Sequence, residues 1–169
     1  LVRLEGGAAD PRPLDLNEPL IEAWEPLERR AEERRLKVVW ELDPVCTAES
    51  DPSLVFMALR NLLENAVDYA DAGGTLWLRS DAEACALSVE NTGSELEPAE
   101  VALATQRFWR KDEARSEAGL HCGLGLALVQ RAATLLDGEL ELSSERGGRF
   151  RATLRLPSQP ASAAALAAG

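Results

Sequence analysis

The chain has 169 residues, 46% hydrophobic and 28% charged, which is enough for one domain with a sizeable core and too apolar for a disordered segment. A formal net charge of −11 argues against a nucleic-acid binder working through a basic face, and equally against contact with an anionic membrane surface. No apolar run approaches the roughly 18–20 residues of a membrane helix.

Leu1-Val2-Arg3-Leu4-Glu5 lacks the basic end and apolar stretch of a signal peptide and has no initiator Met, so a piece of a longer protein is expected. These residues, followed by Gly6-Gly7, read as the last turn of a helix with a glycine stop. Residues 10–16, with Pro11 and Pro13, read as a linker. A helix is predicted from Asn17 as N-cap, with Pro19 in its first turn and Leu20, Ile21, Trp24, Leu27 and Ala31 as its apolar face. Residues 37–42 alternate as a strand, and residues 45–48 form a short second one. Asp51-Pro52 opens the next helix, Asp51 capping and Pro52 fitting the first position. Asp71-Ala72-Gly73-Gly74 is a turn into strands 75–79 and 84–90, after which Asn91-Thr92-Gly93-Ser94 is read as a loop. A short helix at 98–105, a mobile loop at 106–122 and an apolar helix at 123–136 follow. Strands 139–143 and 149–156 join through Gly147-Gly148, and the Ala-, Ser- and Pro-rich end from Pro157 is expected to be disordered. The order of elements gives an α+β sandwich, with helices on one face of a largely antiparallel sheet.

Two segments carry chemistry. Asn61-Leu62-Leu63-Glu64-Asn65-Ala66-Val67-Asp68-Tyr69 places two asparagines one turn apart in a helix they do not favour. Val55, Leu59, Leu62, Leu63 and Ala66 form its apolar stripe, and Asn61, Asn65 and Asp68 lie along the edge, as on a helix whose shoulder lines a polar cleft. Taken alone, the stripe fits surface asparagines on a solvated helix face better than a cleft. The second segment is Gly119-Leu120-His121-Cys122-Gly123-Leu124-Gly125-Leu126, with glycines opening a long apolar helix. Amides at a helix start, at the positive end of its dipole, make an anion site. Neither the P-loop nor the dinucleotide-fold glycine pattern fits. In so acidic a chain, a phosphate-bearing ligand has to be held locally: by such amides, by a divalent cation, or by the cluster Arg107, Arg110, Lys111 and Arg115. Cys46, Cys85 and Cys122, odd in number and without C-x-x-C spacing, suggest neither a disulfide framework nor a zinc site; they suit a reducing cytoplasm.

In combination these features resemble the catalytic, ATP-binding domain of sensor histidine kinases, within the ATPase superfamily that includes gyrase, the Hsp90 chaperones and the MutL repair proteins. An asparagine box (61–69), a first glycine box (Asn91-Thr92-Gly93), Phe108-Trp109-Arg110 and a second glycine box (119–126) occur in order. The similarity continues through Leu128-Val129-Gln130, Leu136-Asp137-Gly138, Gly148-Arg149-Phe150 and Leu154-Arg155-Leu156-Pro157. It implies a Bergerat-type fold, a two-layer sandwich with three main helices on one face of a mostly antiparallel mixed sheet of about five strands. It also divides the chain: 1–7 ends the dimerisation and phosphoacceptor helix, 8–16 is a linker, 17–157 binds ATP, and 158–169 is a tail.

The resemblance further implies ATP and Mg²⁺ as cofactors. Asn65 would ligate Mg²⁺ through its amide oxygen, and Asn61 would face the phosphates. Tyr69 would contact the nucleotide, and Asn91 the adenine amino group beside Gly93. Gly119, Cys122, Gly123, Leu124, Gly125 and Leu126 would cover the phosphates, reached from the loop by Arg110, counted with Asn61 as catalytic, and by Arg115; Phe108 would anchor the loop. Three positions depart from the pattern: Asn91 and Glu95 stand where Asp and Gly are common, and Asp68 where a basic residue is. His121 is a loop residue outside an H-[ED]-x-R-x-P acceptor setting. The implied function is transfer of the ATP γ-phosphoryl group to a histidine on a helical domain outside this chain, for relay to a response regulator, within a homodimer. A degenerate nucleotide-sensing module and an anti-sigma-factor-type protein-serine kinase are the alternatives.

Overall fold

The computed structural model describes residues 9–94, 96–97, 100–106, 109, 123–145 and 148–157. Its elements are β1 (Arg12–Asp15), α1 (Asn17–Trp24), α2 (Glu28–Glu33), β2 (Lys37–Glu41), β3 (Thr47–Ser50), α3 (Pro52–Tyr69), β4 (Thr75–Asp81), β5 (Ala86–Thr92), α4 (Gly125–Leu135), β6 (Glu139–Glu145) and β7 (Arg149–Arg155). The main sheet has five strands in the order β2-β4-β5-β7-β6, with β2 parallel to β4 and the other pairs antiparallel. This is the expected α+β architecture, with α1, α3 and α4 as its main helices.

Strand alternation sends Leu76, Leu78, Leu87, Val89, Ala152 and Leu154 into the helical layer, where all are buried. The longest helix, α3, meets them with Leu54, Val55, Ala58, Leu59, Leu62, Leu63, Ala66 and Val67, and α4 adds Val129, Ala132 and Ala133. The start of α3 is set as the sequence predicts: the Asp51 carboxylate accepts from the Ser53 and Leu54 N–H groups at 2.9 and 3.2 Å, with Pro52 in the first turn. The same side chain accepts from the Asp10 N–H at 3.0 Å, tying in the incoming chain.

Several boundaries differ from expectation. Within the segment read as a linker, β1 pairs antiparallel with β3, from Arg12 opposite Ser50 to Asp15 opposite Thr47. A two-stranded ribbon leaves each strand one unpaired edge, so Pro13 is tolerated, and Leu14 and Leu16 are buried. Asn17 is the first helical residue rather than the cap: its N–H donates to Asp15 Oδ1 at 3.0 Å and its side-chain amide to the Asp43 carbonyl at 2.9 Å. The single helix expected after it is interrupted by a 3₁₀ turn at Glu25–Leu27, where Pro26 has no N–H to continue the ladder. Ile21 is exposed, leaving Leu20, Ala23, Trp24, Leu27 and Ala31 as the buried side.

The short strand expected at 45–48 lies at Thr47–Ser50. Strand β5 runs on through Asn91 and Thr92, because β7 offers both residues partners, Phe150 and Arg149. The short helix expected at 98–105 is a 3₁₀ turn at Val101–Leu103. Residues 1–7 and 158–169, and all of 106–122 except Gln106 and Trp109, lie outside the described residues.

Candidate functional site

The two asparagines project from the shoulder of α3 toward the start of α4. Asn61 donates its side-chain N–H to the carbonyl of Met57 one turn earlier at 2.8 Å, which fixes the amide and directs its oxygen outward. Helix α4 begins at Gly125 against this pair. A Cβ on Gly125 would lie 3.2 Å from Asn65 Nδ2, 3.4 Å from Asn65 Oδ1 and 3.6 Å from Asn61 Oδ1. The fold thus joins two signals 60 residues apart in sequence, with glycine permitting the approach. The residue before α4, Leu124, makes no side-chain cap bond, so among the described residues the first-turn amides of α4 are not capped by the residue that precedes them. Gly123, just upstream, has φ +68°, the left-handed conformation that suits glycine. Leu124 and Leu126 flank Gly125 and are half-buried.

The opposite edge is built at the end of β5. Asn91 is 2% exposed and donates its side-chain N–H to the Thr92 carbonyl at 2.9 Å, leaving its amide oxygen as an acceptor. Gly93 has φ +92°, and a Cβ there would stand 2.4 Å from the Asp71 nitrogen and 2.7 Å from Asp71 Cγ. The turn after α3 is also bound to this edge: Asp71 N–H donates to the Thr92 carbonyl at 3.3 Å, and Thr75 N–H to Thr92 Oγ1 at 3.0 Å. Asp71 is a residue the sequence reading missed; its role lies in the close approach of its backbone to Gly93, which no residue-type pattern records. Tyr69 ends α3 half-exposed above this turn.

Asp68 does not share the cleft-facing stripe with the asparagines. Its carboxylate pairs with Arg30 on α2 and its side chain is 10% exposed. The acid that stands where a basic residue is common is therefore neutralised within the fold. Glu95, Arg107, Phe108, Arg110, Lys111, Arg115, Gly119, His121 and Cys122 lie outside the described residues.

Among the described residues no group of three or more His, Cys, Asp or Glu is arranged to hold a metal ion. The donors facing the cleft are neutral amide oxygens, hard ligands that suit Mg²⁺ when phosphates supply the opposing charge. Cys46 and Cys85 offer no nucleophile. Burial, then the neighbouring Cys85 and the carboxylates Asp43, Asp15 and Asp81, push the Cys46 thiol up to about 11, and burial raises Cys85. No described helix is long and apolar enough to cross a membrane.

The family described as histidine kinase-, DNA gyrase B-, and HSP90-like ATPase matches residues 50–160, more than half of the chain. The sensor protein CzcS of Cupriavidus metallidurans is 36% identical over 137 residues, covering 80% of this chain and 28% of that protein. The sensor histidine kinase CusS of Escherichia coli K12 is 31% identical over 144 residues, covering 83% of this chain and 30% of its own length. The sensor histidine kinase MtrB of Mycobacterium tuberculosis (strain CDC 1551 / Oshkosh) is 38% identical over 112 residues, 64% of this chain and 20% of that one. The chain thus spans less than a third of the length of these relatives. Among solved structures, full-length ShkA in complex with AMPPNP superposes with a TM-score of 0.75 at 26% identity, over 92% of this chain and 33% of that one. The mycobacterial sensor histidine kinase MprB gives 0.72 at 22% identity, over 89% and 99%, a likeness of fold.

Proposed function

Because the chain belongs to the histidine kinase-, DNA gyrase B- and HSP90-like ATPase family, we propose that it is the ATP-binding catalytic domain of a sensor histidine kinase, passing the γ-phosphoryl group to a histidine on a helical domain outside this chain. The observation that carries this reading is the meeting of Asn61 and Asn65 with Gly125 at the uncapped start of α4. Uncapped amides bind phosphate, and amide oxygens one turn apart orient a hydrated cation among phosphate oxygens. At the other edge, the Asn91 amide oxygen accepts from the adenine amino group, and Gly93 lets the base approach the backbone.

When bound, Mg²⁺ neutralises charge on the transferring phosphoryl group. Asn65 holds the cation's position, Asn61 orients the phosphate side, and the amides of α4 cradle the oxygens; catalysis here is positioning and charge neutralisation. Arg110 and Arg115 add positive charge and Phe108 anchors their loop, roles that rest on the sequence. The sensor kinases among its relatives support a response regulator as the final acceptor; a homodimeric whole protein and a cytoplasmic domain without membrane contact of its own complete the reading and rest on the sequence resemblance.

The chain by itself is expected to bind nucleotide without phosphorylating His121. Calorimetric titration with ATP and Mg²⁺ tests this: the wild type binds below millimolar concentration, and Asn65→Ala weakens the Mg²⁺-dependent part about tenfold or more, the scale of one lost metal contact. An unchanged affinity in Asn65→Ala would overturn the assignment of Asn65, and no binding by the wild type at millimolar nucleotide would overturn the reading as a whole.

A further inference from the structure

Glu90 is 1% exposed although it lies on the sheet face opposite the helices. Along β5, Leu87, Val89 and Asn91 point into the helical layer, so Ser88, Glu90 and Thr92 point the other way. What buries the carboxylate is a set of arginines on both neighbouring strands. Arg79 of β4 donates to Glu90 Oε2 at 3.0 Å, Arg151 of β7 to the same oxygen at 2.7 Å, and Arg149 of β7 to Oε1 at 3.3 Å. The guanidinium carbons of Arg79 and Arg149 lie 5.7 and 4.9 Å from the ring centroid of Trp77, the residue paired with Glu90 on β4. Arg79 also binds Glu41 on β2.

This cluster joins four strands, β2, β4, β5 and β7, and centres on the residue before Asn91. It extends to the loop beyond, because Arg149 follows Gly148, whose carbonyl accepts the Ser94 N–H at 3.1 Å. A Cβ on Gly148 would lie 3.7 Å from the Gly93 nitrogen. Packed apolar residues commonly stabilise such a position as well as a buried ion network does, whereas charged forks fix geometry.

From this placement we infer that Glu90 is a positioning residue for the base-binding edge of the cleft, acting through Asn91 and the Gly93–Ser94 backbone, and that it sets the preference for a purine bearing an exocyclic amino group. The inference rests on the nucleotide reading above. It separates from a purely structural role because loss of fold weakens all nucleotides alike, whereas misplacing Asn91 penalises only the base that donates to it.

The test is titration of the wild type, Glu90→Gln and Arg149→Gln with Mg²⁺ plus ATP or inosine triphosphate, which lacks the amino group, alongside thermal melts. The wild type is expected to prefer ATP. Glu90→Gln narrows the ATP-to-inosine-triphosphate ratio at least about threefold, on the scale of a weakened charge-assisted hydrogen-bond set. Arg149→Gln, which leaves Arg79 and Arg151 on the carboxylate, narrows it less and serves alone if Glu90→Gln does not fold. An unchanged ratio in folded Glu90→Gln, or in Arg149→Gln when that is the only folded variant, overturns the inference and leaves the nucleotide reading standing. A wild type that binds both nucleotides equally overturns it together with the role of Asn91, and one that binds neither overturns the nucleotide reading from which it proceeds.

Discussion

At Gly125 a single hydrogen separates tolerance from crowding, since a methyl group there would press on the Asn65 amide at 3.2 Å. The backbone at this position opens a right-handed helix, where alanine is a better helix former than glycine. Gly125→Ala therefore separates two quantities that usually move together. Its melting temperature is expected to stay level or rise, while the ATP dissociation constant increases about fivefold as the amide yields its place; parallel melts and titrations check this. Gly93 is constrained differently, by a positive φ and by the Asp71 backbone at once. Asn91 was marked by the resemblance alone, whereas Asn61 and Asn65, which a helix does not favour, and Gly125, which opens an apolar helix, were legible in the sequence itself. Asp71 and the Arg30–Asp68 pair were not, because charged residues next to a turn or on a helix have ordinary solvated uses and only the fold shows which neighbour each meets.

Among the elements, α3 depends on its cap. Asp51 is buried, satisfies two amides of the first turn, and holds the Asp10 N–H as well. Asp51→Ala is expected to cost about 2 kcal/mol, at the upper end for a lost N-cap, read as a lower midpoint in urea denaturation; Asp51→Asn, which keeps an acceptor oxygen, recovers much of it. This cap and the apolar stripe behind it were plain in the sequence. Elements went unseen where two local signals competed. Pro11 and Pro13 indicate a loop until β3 supplies a partner strand, and the apolar spacing from Leu20 to Ala31 runs across Pro26 as though it did not break the ladder. Asn91 and Thr92 read as loop residues, yet ladder bonds from β7 keep them in β5.

For the whole molecule, acid titration probes the arginine-bound carboxylate. Burial by itself would raise the Glu90 pKa, but the hydrogen bonds and charges of Arg151 and Arg79 outweigh it and hold the group below its ordinary value of 4.5. A depressed folded pKa means the stabilisation is fully present above the ordinary carboxylate range and is lost as pH falls through the folded value. The melting-temperature gap between wild type and Glu90→Gln is therefore expected to be widest near neutrality and to shrink below pH about 4. The net charge of −11 works the other way, since protonating other carboxylates relieves repulsion in both proteins alike; the difference between the two curves isolates Glu90.

The parallel pairing of β2 with β4 has a mechanical consequence. Parallel neighbours require a crossover, and here that crossover contains α3, so the helix bearing the asparagines is tethered at both ends. Asp51 grips the incoming chain at one end; at the other, the Ala70 carbonyl is held by Arg34 at 2.6 Å. Helix α4 is packed into the core along its length by Val129, Ala132 and Ala133 and closes its last turn with the Gly138 N–H on the Ala133 carbonyl at 2.9 Å, while its first residue, Gly125, meets the asparagines. The asparagine wall of the cleft is therefore a fixed jaw, its place set by the strands and turns that hold both ends of α3 rather than by the helix alone.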